Sequence, residues 1–299
     1  MRTIIKLVFT CSVIALGFAG PGAAVAATRA PSASGTAAQN QLERNRLAAR
    51  RFLEALYTVN NNKAGTFLAD SYREHQASAG FSRSGLFGYA RDRAAANPQH
   101  YLVIHRTIAQ GDLVFLHVEQ RLTAHQSVAR GELFRFLPDG RIAEHWSAQQ
   151  DVPATDANGN GMFRGSEVNR AAKAGREFGA AIMENDAIVF RTLNPDLVAR
   201  TRTSRYLQHN PNVNNGPAGL QAFITMMRDD HVIVEARVIK VVAEGDYVAA
   251  LNYFKTDPQV PGFGESVVFD VVRVTDAGKV DEHWDVVEDA PGIDQKRAF

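Results

Sequence analysis

The chain has 299 residues and a formal net charge of +1, with 45% hydrophobic and 22% charged residues. That balance offers neither a basic surface for nucleic acid nor an acidic halo, and the length suffices for about two folded domains. The single cysteine, Cys11, lies near the amino terminus, so residues 28–299 hold no disulfide, thiolate metal site or cysteine nucleophile.

Residues 1–27 read as a secretory signal: Arg2 and Lys6 form a positive end, residues 7–19 an apolar run, and Ala24-Val25-Ala26 a small-residue cleavage site. The run is shorter than the roughly 20 residues a membrane span needs. The expectation is an exported protein, periplasmic or secreted, with no membrane association after cleavage. Residues 28–39 have no hydrophobic period and read as a flexible leader.

Helical periodicity follows at 42–57 and 86–95, then strand patterns at 101–110, 113–123, 131–137 and 141–149. Residues 154–161 read as a connecting turn. Within it, Asp156, Asn158, Asn160, Gly161 and Glu167 satisfy a calcium-loop pattern. That pattern works between two helices, whereas here it follows a strand and Pro153, so no metal is expected. Pro217 then suits a first helical turn, with Leu220, Phe223, Ile224 and Met227 at helical spacing. Strand patterns recur at 232–243, 247–256, 267–274 and 279–287, which predicts an antiparallel meander, and 292–299 read as a tail.

The second half repeats the first. Tyr72-Arg73-Glu74-His75 aligns with Tyr206-Leu207-Gln208-His209, and Gly111-Asp112 with Gly245-Asp246, at one offset of 134 residues. Glu144-His145-Trp146 aligns with Glu282-His283-Trp284 at 138, so one loop has gained four residues. Two tandem α+β domains are expected, at 40–153 and 162–291, each with helices packed in a curved antiparallel sheet.

Period-two alternation in the last strand puts His283 and Asp285 on one face and Glu282 and Trp284 on the other. On a covered face, a carboxylate beside an imidazole suits general-base chemistry; on an exposed one it is an ordinary polar strand end. His209, before the second helix, is a further candidate or a hydrogen-bonded structural residue.

The strings Tyr206-Leu207-Gln208-His209-Asn210-Pro211, Val268-Phe269-Asp270-Val271-Val272-Arg273-Val274 and Glu282-His283-Trp284-Asp285-Val286 resemble the SnoaL-like branch of the nuclear transport factor 2-like superfamily. The resemblance covers nearly all of the second copy. It implies a cone-shaped fold around a pocket, used by polyketide cyclases, ketosteroid isomerase and related enzymes, and also by binding and dimerising modules. Its implied chemistry is a metal-independent isomerase or lyase without cofactor, acting on a small apolar carbonyl compound. Asp285 is the implied base, assisted by His209 and His283. Tyr206, Gln208, Asn210, Phe269 and Trp284, with His75 from the first copy, are the implied ligand-binding residues. The first copy has Ser147 in place of Asp285, which implies a degenerate site. Sheet-to-sheet pairing in this fold implies a pseudo-dimer within the chain, with homodimers between chains; Trp146 and Trp284 suit that contact or the local core.

Overall fold

The structure is a computed structural model that describes residues 33–258 and 264–299. The signal segment 1–27 and the leader as far as residue 32 lie outside the described residues, as do residues 259–263 of the expected hairpin loop.

The first copy comprises α1 (Ala33–Leu56), β1 (Leu68–Glu74), α2 (Arg83–Ala96), β2 (Tyr101–Gln110), β3 (Leu113–Thr123), β4 (Gln126–Phe136) and β5 (Ile142–Asp151). The second comprises α3 (Ala174–Thr192), α4 (Pro195–Thr201), β6 (Arg202–Gln208), α5 (Gly216–Asp229), β7 (Ile233–Glu244), β8 (Tyr247–Asp257), β9 (Ser266–Val274) and β10 (Val280–Asp289), followed by α6 (Gln295–Ala298). The two sheets have the same order, β1-β5-β4-β3-β2 and β6-β10-β9-β8-β7. Four strands in each are antiparallel. The edge strand, β1 or β6, runs parallel to its neighbour, so each sheet is mixed rather than a pure meander.

Three readings need correction. Residues 33–39 are helical, not a loose leader: once residues 42–56 are anchored by packing, extending the helix outward costs little. The second copy has three helices before its meander rather than one. In α3, Ile182, Met183, Ala187 and Val189 face the core, but Gly179 and the run Glu184-Asn185-Asp186 dilute the stripe. Strands β1 and β6 have no counterpart among the expected strands, because each is short, carries exposed polar residues and pairs on one side only.

One cluster of buried side chains fills each cone between helices and sheet. In the first, Phe52, Leu53 and Leu56 of α1 are 0–1% exposed, and each stabilises by about 1.5–3 kcal/mol. A third cluster belongs to both copies: Ile108, Phe115, Leu133 and Trp146 meet Ala249, Leu251, Phe269 and Trp284, so the two sheets pack through their outer faces. The contact is reciprocal. Arg106 lies 3.8 Å over the ring of Trp284, and Lys240, its equivalent at the 134-residue offset, lies 4.5 Å over Trp146. Such exchange of roles marks a pseudo-two-fold, isologous pairing. Gly131 belongs to this seam, where an added Cβ would stand 2.5 Å from Phe269 Cδ2. Gly131→Ala is expected to lower stability by about 1–3 kcal/mol through overpacking, read as a lower urea midpoint.

No described helix is long and apolar enough to cross a membrane. Residues 152–173 carry no helix or strand, a longer connection than the expected turn, and they contact both copies: the Ala157 N–H donates to Pro211 O (2.8 Å), and Arg106 donates to Arg164 O (2.7 Å). The tail is likewise docked, since α6 touches the first copy: the Arg297 guanidinium donates to Gly80 O and Phe81 O, each at 3.2 Å.

Candidate active site

The parallel pairing of β6 with β10 sets Gln208 beside His283, and the antiparallel pairing of β9 with β10 sets Asp270 opposite Asp285. Side chains alternate along a strand, so Asp270, His283 and Asp285 share the face covered by helices. With Tyr206, Gln208 and Asn210 they line a chamber whose remaining wall includes Met183, Phe190, Val213, Leu220, Phe254 and Val268. The unoccupied space, mouth included, is about 600 Å³.

Asp285 is 5% exposed. Its Oδ2 accepts from Asn210 Nδ2 at 2.6 Å, while Oδ1 has no hydrogen-bond partner. Burial raises its pKa; His283 draws it back and Asp270 pushes it up again, leaving the carboxyl at about 6 instead of 3.8. Near neutral pH this group is ionised and a far better base than an ordinary aspartate.

Gln208 orients His283. Its Oε1 accepts the backbone N–H groups of His209 and Asn210, both at 2.9 Å, which fixes the amide with its oxygen toward the imidazole. His283 Nδ1 therefore donates to Gln208 Oε1 at 2.7 Å, and Nε2 donates to Asp270 Oδ1 at 3.0 Å. Burial opposes charge on this ring, but the hydrogen bond to Asp270 and the nearby carboxylates outweigh it, and the His283 pKa is raised. Gln208 Nε2 donates to the Tyr206 hydroxyl at 3.1 Å, which leaves the phenolic proton free to donate. Burial raises the Tyr206 pKa, so the phenol stays neutral. The ligand atoms of Asp270, His283 and Asp285 lie within 4.8 Å of one another. A cation there would have to displace the His283–Asp270 hydrogen bond, because both ring nitrogens already act as donors.

Asp270, Asn252 and the pair Asp186–Arg202 (2.7 Å) also line the chamber, and none was singled out from sequence. For Asp270 the signal was available: counting alternate residues along β9 places Asp270, not Phe269, on the face of Asp285. Asp186 lies on α3, the helix the sequence reading missed.

Four expected site residues lie elsewhere. Phe269 and Trp284 point to the seam between the sheets, where Phe269 packs 5.3 Å from Phe115. His209 stacks on Trp284 at 4.8 Å, and its nitrogens contact Gly161 O (2.6 Å) and Glu282 Oε1 (3.0 Å). His75 repeats that stack on Trp146 at 4.5 Å, with Nδ1 against Arg297 O at 2.7 Å. The cause is parity: each of these side chains is on the sheet face opposite the chamber, or stacks on one that is. His209 is thus a structural residue holding the linker to the sheet. His209→Gln is expected to lower stability by about 1–3 kcal/mol, measured by thermal melting, and to move the pH midpoint of any turnover little.

In the first copy the equivalent chamber is filled. Arg130, at the position of Val268, donates to Glu132 (2.6 Å), Gln149 (3.0 Å) and Ser147 Oγ (3.1 Å). His145 bridges Glu74 (3.0 Å) and Glu132 (2.7 Å). The calcium-like segment is a turn: Asp156 Oδ1 accepts the Gly159 N–H and Oδ2 that of Gly161 (3.2 Å), while Asn158 Nδ2 donates to Asn210 O (2.6 Å) and Val213 O (3.1 Å). Asn158 thereby anchors the loop that carries Asn210.

No family model matches the sequence, and no curated protein matches it. Solved structures match over about the length of one copy. A SnoaL-like protein from Burkholderia thailandensis is 17% identical, covering 36% of this chain and 95% of its own, with a TM-score of 0.31. An LEH-like epoxide hydrolase from M. tuberculosis is 16% identical, covering 36% and 80%, at 0.31. TsrD from Streptomyces laurentii is 21% identical, covering 38% and 89%, at 0.32. Each copy has the α+β class expected from sequence, with helices preceding and packing on a five-stranded sheet.

Proposed function

We propose that the second copy is a metal-independent proton-transfer enzyme, isomerase- or cyclase-like, acting next to the carbonyl of a small, flat, mostly apolar compound. One observation carries this reading: the unpaired Oδ1 of Asp285, buried in a chamber of mixed apolar and polar lining, on a carboxyl whose pKa is about 6. Asp285 takes the α-proton, and the neutral Tyr206 phenol donates to the oxygen on which charge develops. His283 is a positioning group, held by Gln208 and Asp270. The first copy, its chamber filled, pairs as the scaffold half of an intrachain pseudo-dimer. We further read the chain as exported, on the charge, apolar and small-residue order of residues 1–27.

The test is deuterium exchange at the α-carbon of a panel of small cyclic and aryl ketones in D2O, followed by NMR. The expected result is exchange whose rate rises with pH through about 6 and then levels, because only ionised Asp285 accepts the proton. Ligand binding by the chamber with no exchange above the buffer rate for any binder would instead support a carrier.

A further inference from the structure

We infer a second binding site, for a small oxyanion of the phosphate or carboxylate class, in the cleft between the β1 end of the first copy and the carboxy-terminal helix α6. Tyr72, Arg73, His75, Phe81, Ser82, Arg83, Lys296 and Arg297 line it together with Glu74. Arg73, Arg83, Lys296 and Arg297 are exposed, and none forms an ion pair among the described residues. Arg297 lies 4.8 Å over the Phe81 ring and donates only to carbonyls. The one acid in the lining is turned inward: Glu74 accepts from the Tyr72 hydroxyl, the Gln76 N–H (2.9 Å) and His145 (3.0 Å). His75 is held at the back of the cleft, stacked on Trp146, with its Nε2 buried 3.9 Å from Glu144 Oε2. Four cations without an ion pair thus border one cleft, while the nearby acids are engaged elsewhere: Glu74 with its three donors, and Glu144 with Arg135 (2.9 Å) and His75 (3.9 Å).

The fold does not require this charge. The pseudo-symmetric positions of Arg73 and Arg83, 134 residues on, are Leu207 and Pro217, and the linker that contacts His209 offers Gly161 where the first copy meets Arg297. The same backbone arrangement is therefore built once without cations and once with four. Gathering like charges from two segments costs electrostatic energy that an oxyanion removes, and guanidinium forks match its oxygens. A bound oxyanion bridges Arg73 and Arg83 of the first copy to Lys296 and Arg297, and so clamps α6.

Inorganic phosphate is the probe, titrated calorimetrically into the full chain against sodium chloride at matched ionic strength. Saturable binding is expected in the range of about 0.1–1 mM, weakened at least about 10-fold in Arg73→Gln/Arg83→Gln and in Lys296→Gln. Phosphate should also slow hydrogen exchange of the 295–299 amides, as any ligand of the clamped state must. Chloride reproducing the effect, binding unchanged in both variants, or binding without protection of α6 would each overturn the site. Both variants lie outside the chamber of Asp285, so ketone exchange should persist in them, and failure here is separable from failure of the proposed enzyme.

Discussion

Asp285→Asn should abolish ketone α-proton exchange while making the protein more stable at neutral pH. Loss of the base is expected to cost about 10²–10⁴-fold in rate and to remove the rise through pH 6. The stability change follows from the same burial. The folded carboxyl titrates at about 6 against an ordinary 3.8, so the folded state binds this proton more tightly than the unfolded chain does. Its stabilising contribution is complete below 3.8 and is lost as pH rises through about 6, where the buried anion carries a penalty of about 3 kcal/mol. An amide of the same shape removes that penalty and can still accept from Asn210. Urea unfolding should therefore show a gain near pH 8 that shrinks toward pH 4. A variant that loses stability at pH 8 and leaves exchange untouched would make Asp285 a structural acid.

Much of this arrangement was legible before any coordinates, for identifiable reasons. Internal repetition exposed the two domains, and strict alternation in the last strand placed His283 and Asp285 together and Trp284 behind them. The same parity, carried to the neighbouring strand, selects Asp270 over Phe269. Motif resemblance selected Phe269, and it reinforced His209, already a candidate from its place before a helix, because a string of adjacent residues does not say which face each one takes. His209 shows why: its stack on Trp284 and its contact with Glu282 depend on a strand, β6, whose short polar sequence gives no β signal of its own. The 134-residue offset maps the predicted helix at 42–57 onto 176–191, inside α3, so the repeat held information that periodicity alone did not. What no pattern contained was the interior of the first copy, since alignment shows Arg130 facing Val268 but not where its charge goes.

That charge sustains the scaffold half, and Arg130→Met should unfold it at much lower denaturant. Arg130 is 1% exposed and its partner Glu132 is 0% exposed. Around them Glu74, Glu132, His145 and Arg130 balance to zero. Burial disfavours the His145 cation, yet Glu74 and Glu132 push its pKa up to about 9. This raised histidine contributes stability in full below its ordinary 6.5 and loses it as pH rises through about 9. Removing Arg130 leaves a net negative charge without water, and a broken buried pair of this kind costs about 3–5 kcal/mol. The loss should be coupled rather than intrinsic to the position, because Val268 fills the same place in the second copy with an apolar side chain. Arg130→Met/Glu132→Leu keeps the Glu74–His145 pair balanced and is expected to recover most of the loss, a coupling readable in a double-mutant cycle. Additive losses in that cycle would mean that Arg130 acts by packing alone, against Tyr57 at 4.9 Å, and that the filled chamber is held by volume rather than by charge.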